Sequence, residues 1–331
     1  MTVSQRPYAL ALDMGGTQIR AGLLEGHRLL KRASVQTNST GGPTGILNQF
    51  DALLAEVSEG VDRDRIAGIG LASAGPVDTE RGVILGIPTI PGLEGFAIGE
   101  AVAERTGQTV IVENDAIAAT LGEWHQGAGR GTDNLIYLTV SSGIGGGAVV
   151  DGRLLHGHRG MCAHFGHMRL ALDDEPHAAF PCLCGARGCF EALASGTALG
   201  RRAVQAARDE PAGYLGIASR SGLVSAKDVF DGARCGDAQC ISLVEDEARY
   251  LGQGIVSLIH LFSPELVVLG GGLSQGFDLL TQTIHDTIHT SAVGPFKDIE
   301  VVRSSLGDDS GLVGAAAAVY SAFSMHHPSE S

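Results

Sequence analysis

The sequence predicts an α/β protein of two domains, and three observations predict it. Apolar runs of strand length alternate along the chain with segments whose apolar residues recur at helical spacing. A strand–glycine turn–strand unit near the start, YALALDMGGTQIRAGLLEG, has a counterpart much later in NLIYLTVSSGIGGGAVVDGRLL, which suggests an internal duplication with one unit per domain. With 331 residues, 44% of them hydrophobic, the chain has the length and the apolar content for two full cores.

The elements follow in order. After the first hairpin, NQFDALLAEVSEG has helical periodicity, with Gly60 as its stop. IAGIGLASAGPVD is a buried strand running into a turn. IGEAVAERTG is an amphipathic helix that ends at Gly107, and TVIVEND is a strand ending in Asn-Asp. DAIAATLGEWHQGAG starts with an acid, as the positive end of a helix dipole favours. Beyond the second hairpin, PAGYLGIASRSGLVS carries no pattern and is expected to be irregular. QCISLVEDEARYLGQGIVSLIHLFSP is a long helix halted before Pro264, and LVVLGGGLS is a buried strand ending in glycines.

A net charge of −14 argues against nucleic acid as a partner, because phosphates require a basic footprint, and no basic stripe interleaved with aromatics is present. The N-terminus lacks a basic-then-apolar signal pattern, and nowhere do eighteen apolar residues run together. A cytoplasmic protein with no membrane partner is expected. In that compartment clustered cysteines bind metal more often than they form disulfides. Residues 182–189 read CLCGARGC, and a Cys-x-Cys pair closes too small a ring for a relaxed disulfide. Zinc takes four thiolate or imidazole ligands, so Cys182, Cys184 and Cys189 need one more partner. The upstream candidates are His164, His167 and His177; a redox role or unpaired thiols are the alternatives. Cys162, Cys235 and Cys240 fall outside this pattern and read as ordinary thiols.

Other motifs point to an anionic ligand. In DMGGT, Gly15 and Gly16 permit close backbone approach to a phosphate, Thr17 adds a hydroxyl, and Asp13 at the strand end can hold a magnesium ion through water. Taken alone, such a turn is more often just a hairpin. SSGIGGG, with Ser142, Gly143 and Gly145, and LGGG, with Gly271 and Gly272, strengthen the reading, since three glycine-rich strand ends suit a wrapped anion. In VENDA, Asp115 either caps a helix or serves as general base for a substrate hydroxyl, with Asn114 holding a neighbouring hydroxyl. Glu191, two residues past the last cysteine, is well placed to hold a ligand rigidly.

These residues, with LASAGPVD at 71–78, GHM at 166–168, CLCGARGCFEALASG at 182–196 and GDDSGLVGAA near the C-terminus, resemble the ROK (repressor, open reading frame, kinase) family of sugar kinases over nearly the whole chain. The resemblance implies the actin/hexokinase-like fold: two ribonuclease-H-like domains around a cleft, divided here at 1–118 plus roughly 302–331 and at 119–301, with the zinc knuckle in the second. It implies ATP with Mg²⁺ as donor, a structural zinc held by His167, Cys182, Cys184 and Cys189, and a homodimer or homotetramer. By matched position Asp115 is the base. Gly75, Thr89, Asn114, His164, His167 and Glu191 face the acceptor, while Asp13, Gly15, Gly16, Thr17, Ser142, Gly143, Gly145, Gly271 and Gly272 face the nucleotide.

Two departures fall on the acceptor side. The family pattern Glu-x-Gly-His is His164-Phe165-Gly166-His167 here, and Thr89 stands where family kinases often carry Asn. A carboxylate accepts at both oxygens, whereas neutral imidazole accepts at one nitrogen and donates from the other. The expected acceptor is therefore a hexose or hexose-like substrate such as glucose or an N-acetylhexosamine, with a sugar-derived C7 keto-cyclitol as the alternative, its carbonyl matched to the N–H donor. A sugar-binding protein without catalysis and a DNA-binding ROK regulator are the readings from another class. Against the regulator stand the acidic charge and the few residues before Asp13, which read as the first strand.

Overall fold

The computed structural model describes residues 6–87, 89–170 and 181–326. In chain order the elements are β1 (Tyr8–Met14), β2 (Gln18–Glu25), β3 (Arg28–Gln36), α1 (Gly42–Ser58), β4 (Ile66–Ser73), β5 (Val77–Asp78), β6 (Val83–Ile84), α2 (Ile98–Thr106), β7 (Val110–Asn114) and α3 (Asp115–Gln126). There follow β8 (Leu135–Val140), β9 (Ile144–Val150), β10 (Arg153–Leu154), α4 (Phe190–Ala194), α5 (Gly196–Asp209), α6 (Tyr214–Ala218), α7 (Ala226–Arg234) and α8 (Ala238–Phe262). The chain closes with β11 (Leu266–Gly270), α9 (Phe277–Ser291), β12 (Glu300–Arg303) and α10 (Ser310–His326). Among the described residues no helix is long and apolar enough to cross a membrane.

The chain divides into two compact units. One takes the N-terminal part to Gly131, Leu154–Ala163 and the C-terminal part from Ser305; the other takes Thr132–Arg153 and His164–Ser304. The sequence division at 118 falls inside α3. That helix stays whole in the first unit because it packs along α10, and the short segment Leu154–Ala163 returns to the same unit.

In the first unit one sheet runs β3-β2-β1-β4-β7, with the β1–β2–β3 meander antiparallel and β1, β4 and β7 mutually parallel. The two faces of β1 differ in side-chain size. Leu10, Leu12 and Met14 enter a core with Ile46, Phe50 and Leu54 of α1, whereas Ala9 and Ala11 lie under Leu312, Ala315 and Ala316 of α10. Small residues on that second face let α10 come close. A side chain at Gly314 would strike the carbonyl of Ala118 in α3, and one at Gly122 would strike that of Ser310. The buried Glu123 fastens this contact, because its carboxylate accepts N–H groups of Leu306 (2.9 Å) and Ser305 (3.2 Å) and the Ser310 hydroxyl (3.1 Å).

The second unit repeats the plan. Its sheet runs β10-β9-β8-β11-β12, with β8 and β9 antiparallel and β8, β11 and β12 parallel. The glycine hairpins recognised as duplicated in the sequence thus occupy equivalent places, β1–β2 in one sheet and β8–β9 in the other. The long helix predicted before Pro264 is α8; Asp237 caps its start by accepting the Cys240 N–H, and Ser263 ends it in the left-handed region at φ 46°. Segment 211–225 is less irregular than its sequence suggests, since the short helix α6 forms within it.

Candidate functional site

Asp13 is the penultimate residue of β1, and Asn114 ends β7 with Asp115 opening α3. Met14 is in register with Ser73 of β4, and Ser73 with Asn114, so both acids stand at the carboxyl ends of parallel strands with one strand between them. Ligands of open α/β sheets bind at that edge. The helix cap is Asn114 and not Asp115: the Asn114 Oδ1 accepts the N–H groups of Ala116 (3.0 Å) and Ile117 (3.3 Å), and its amide donates to the Gly75 carbonyl at 3.1 Å. Gly75 itself sits at φ +84° against the Gly86 carbonyl, a position closed to other residues. The sequence offered capping as the ordinary role for Asp115; Asn114 takes it, while the Asp115 Oδ1 receives the Ala116 N–H at 2.8 Å.

Burial, and after it the charge of Asp13, push the half-buried Asp115 carboxyl up to about 7. Burial likewise raises Asp13, against the opposing Arg20 guanidinium, whose Nη1 lies 3.0 Å from its Oδ2. Gly311, in the first turn of α10, comes so close to the Asp13 carboxylate that a Cβ there would lie 3.1 Å from it. The C-terminal GDDSGLVGAA segment is therefore part of the same site.

The DMGGT turn is braced from β3 and the loop that follows it. The Thr37 hydroxyl donates to the Gly15 carbonyl at 2.7 Å, and the Thr37 N–H donates to the Thr17 carbonyl at 2.9 Å. Gly16 owes its identity to packing, because a Cβ there would collide with the side chain of Thr89. Thr89, expected at the acceptor, thus lies against the DMGGT turn, and Thr17 is exposed.

In the second unit Ser141 joins three glycine segments. Its carbonyl accepts the Gly196 N–H at 2.7 Å, its hydroxyl accepts the Gly272 N–H at 2.9 Å, and its own N–H donates to Gly143 at 2.9 Å. Ser142 and Gly272 line a cavity of about 640 Å³ together with Thr197, Lys227, Phe230 and Arg234, a volume in the range of ligand pockets. Gly145 is a ladder residue paired with Thr139, and Gly271 is required by φ +80° beside the Val140 backbone. The α7 residues on this wall were not legible beforehand. The only sequence signal there is the Ser225–Asp228 capping box, which marks a helix start and no ligand.

Cys182, Cys184, Cys189 and His167 come together, with one donor atom from each lying within 4.8 Å of the others. The Cys184 and Cys189 sulfurs are 3.7 Å apart, and the Cys182 sulfur is 3.6 Å from the His167 Nδ1. Tetrahedral zinc with its usual bond lengths separates two sulfurs by about 3.8 Å and a sulfur from a nitrogen by about 3.6 Å. The donor set fits that ion. Of the three histidines considered, His167 joins the cysteines. The His164 ring instead stacks on that of His167 at 6.3 Å, and His177 lies outside the described residues. Burial, and then His167, lower the His164 pKa, so its imidazole is neutral near pH 7. The Glu191 Oε2 accepts the Ile144 N–H at 3.0 Å and occupies the space where a side chain at Gly143 would go.

A glucokinase of Thermotoga maritima is 35% identical over 316 residues, covering 94% of this chain and 96% of the relative. An N-acetylmannosamine kinase of Yersinia pseudotuberculosis is 32% identical, covering 93% and 96%. The crystal structure of a ROK family glucokinase from Streptomyces griseus, in complex with glucose and AMPPNP, superposes with a TM-score of 0.80 at 35% identity, covering 93% of this chain and 98% of that one. The ROK family model matches residues 9–322, and the chain belongs to the ROK family.

Proposed function

We propose that the chain is an ATP-dependent carbohydrate kinase that transfers the γ-phosphoryl group of ATP to a primary hydroxyl of a hexose or hexose-like substrate, glucose or an N-acetylhexosamine among them. The observation that carries this reading is Asp115, a carboxyl raised to about 7 at the carboxyl end of a parallel sheet strand. A base of that pKa is half ionised at neutral pH and basic enough to take an alcohol proton as the new O–P bond forms and ADP leaves. The kinase relatives, one of them crystallised with glucose and an ATP analogue, support the sugar-kinase reading.

In this reading Gly75 and Asn114, beside Asp115 in the first unit, are acceptor contacts, and so are His164, His167 and Glu191 in the second. The DMGGT turn, Ser142 and the Gly271–Gly272 segment take the nucleotide. Mg²⁺, which Asp13 would hold through water, neutralises charge on the phosphates when bound. Zinc on His167, Cys182, Cys184 and Cys189 would have four protein ligands and so would shape the chain without supplying chemistry to the substrate.

His164 favours a second acceptor within the same chemistry. A neutral imidazole donates an N–H that a carboxylate lacks, and a sugar-derived keto-cyclitol offers a carbonyl to receive it. A coupled assay of ADP release over a panel of hexoses, N-acetylhexosamines and cyclitols tests both readings. Turnover on a hexose or N-acetylhexosamine supports the first, turnover confined to a cyclitol supports the second, and saturable sugar binding without turnover supports a non-catalytic binder.

A further inference from the structure

We propose that Glu191 is a positioning residue that clamps the Ser141–Ile144 turn to the Cys/His cluster, so that the state of the cluster sets the affinity for nucleotide. The inference rests on the nucleotide assignment made for that turn.

The turn is gripped from two directions, and both grips belong to segments that carry cluster ligands. From one direction the Glu191 Oε2 accepts the Ile144 N–H at 3.0 Å and fills the space beside the Gly143 Cα. Glu191 is two residues past Cys189, which opens the short helix α4, and its Oε1 lies 3.7 Å from the Cys182 sulfur. From the other direction the backbone of Gly166, next to His167, lies against the turn: a Cβ there would strike the Ile144 carbonyl and stand 3.2 Å from the Glu191 Cβ. The two segments are joined beside the cluster, where the Phe190 N–H donates to the Met168 carbonyl at 2.7 Å. An ion held by His167 and Cys189 would cross-link the two segments.

Five residues of helix are too few to hold Glu191 in place by themselves. Burial of Phe190 and Leu193 anchors the body of α4, and Cys189 ties its first turn, which carries Glu191, to the cluster. The turn gains a charge-assisted hydrogen bond from a carboxylate that has no freedom to leave, and Ser141 passes that constraint to the glycine segments at Gly196 and Gly272. Contact of Glu191 with an acceptor hydroxyl is a separate matter, since the clamp uses Oε2.

The test is calorimetric titration of AMPPNP with excess Mg²⁺ into the full chain, without acceptor, before and after treatment with a zinc-selective chelator. Glu191→Ala is expected to weaken nucleotide binding about tenfold or more, whereas Glu191→Gln, whose amide oxygen still accepts the Ile144 N–H, stays within about threefold of the parent. Chelation is expected to weaken the parent by a similar factor and to add nothing in Glu191→Ala. Hydrogen exchange at the Ile144 amide in the unmutated chain reads the clamp without a variant, and chelation is expected to speed it at least about tenfold. Unchanged nucleotide affinity in Glu191→Ala, an undiminished chelator effect in that variant, or an Ile144 amide indifferent to chelation overturns the inference. If Glu191→Ala does not fold, Glu191→Gln and the exchange measurement decide it. An unmutated chain that binds no nucleotide refutes the proposed function as well. One that binds nucleotide with no effect of Glu191 refutes the clamp alone.

Discussion

Asp115 and Asp13 stand one strand apart, and burial, then the Asp13 charge, push the Asp115 carboxyl up to about 7. The base must be ionised to accept a proton, so kcat/KM is expected to rise with pH through an apparent pKa of about 7 before reaching a plateau. A rate profile flat from pH 5.5 to 8.5 would contradict this.

The same shift has a stability consequence. The folded chain binds the Asp115 proton more tightly than the unfolded chain, whose carboxyl is near 3.8, so stability is lost as pH climbs from about 4 through about 7. Asp115→Asn keeps an oxygen for the Ala116 N–H and removes the charge. Its melting temperature relative to the parent is expected to rise steadily between pH 4.5 and 8, measured by thermal unfolding.

His156 and the buried Glu113 form a second pH-dependent contact, with the His156 Nε2 at 3.0 Å from the Glu113 carboxylate. The hydrogen bond to Glu113, opposed by burial and aided by the Glu113 charge, raises the His156 pKa above 6.5. The stabilisation is then complete below 6.5 and is lost as pH rises through the raised value. His156→Gln is expected to lower the melting temperature more at pH 6 than at pH 8.5; an equal loss at both would assign the contact to packing.

Arg202 on α5 and Glu247 on α8 form a fully buried ion pair, and the Arg202 guanidinium also donates to the Leu193 carbonyl. Removing one partner leaves a charge buried alone, so Glu247→Leu is expected to cost about 3–5 kcal/mol in denaturant unfolding. Replacing both, Arg202→Met with Glu247→Leu, is expected to recover most of that loss. A double variant as unstable as the sum of the single ones would contradict the assignment.

The cysteine cluster predicts one zinc ion per chain in the purified protein, by elemental analysis. Cys184→Ser is expected to lower that content to well below one, whereas Cys240→Ser, which alters a buried thiol outside the cluster, is expected to leave it unchanged.

Much of this was legible beforehand because a few residue types allow few alternatives. Three cysteines in CLCGARGC pointed to a clustered set of donors, which the fold brings together with His167, and the paired glycine hairpins announced the duplication that both sheets display. β3 was missed for a physical reason: it is an edge strand whose side chains are largely exposed, only Ala33 being buried, so no alternation marks it. The motif glycines were assigned to phosphate approach, but for Gly16 and Gly143 the immediate constraint is the side chain of Thr89 or Glu191, and residue type alone does not reveal which neighbour fills the space. The α7 wall of the cavity beside Ser142 and Gly272 was illegible because such walls work by shape and carry no fixed motif.

The central claim is that the Asp115 carboxylate takes the proton of the alcohol being phosphorylated. ADP release, measured over the acceptor panel for the parent and for Asp115→Asn, tests it most directly. The account predicts turnover by the parent on at least one hexose or cyclitol, a loss of about 10²- to 10⁴-fold in the variant, and AMPPNP binding that survives the change. Near-normal turnover by Asp115→Asn would contradict it.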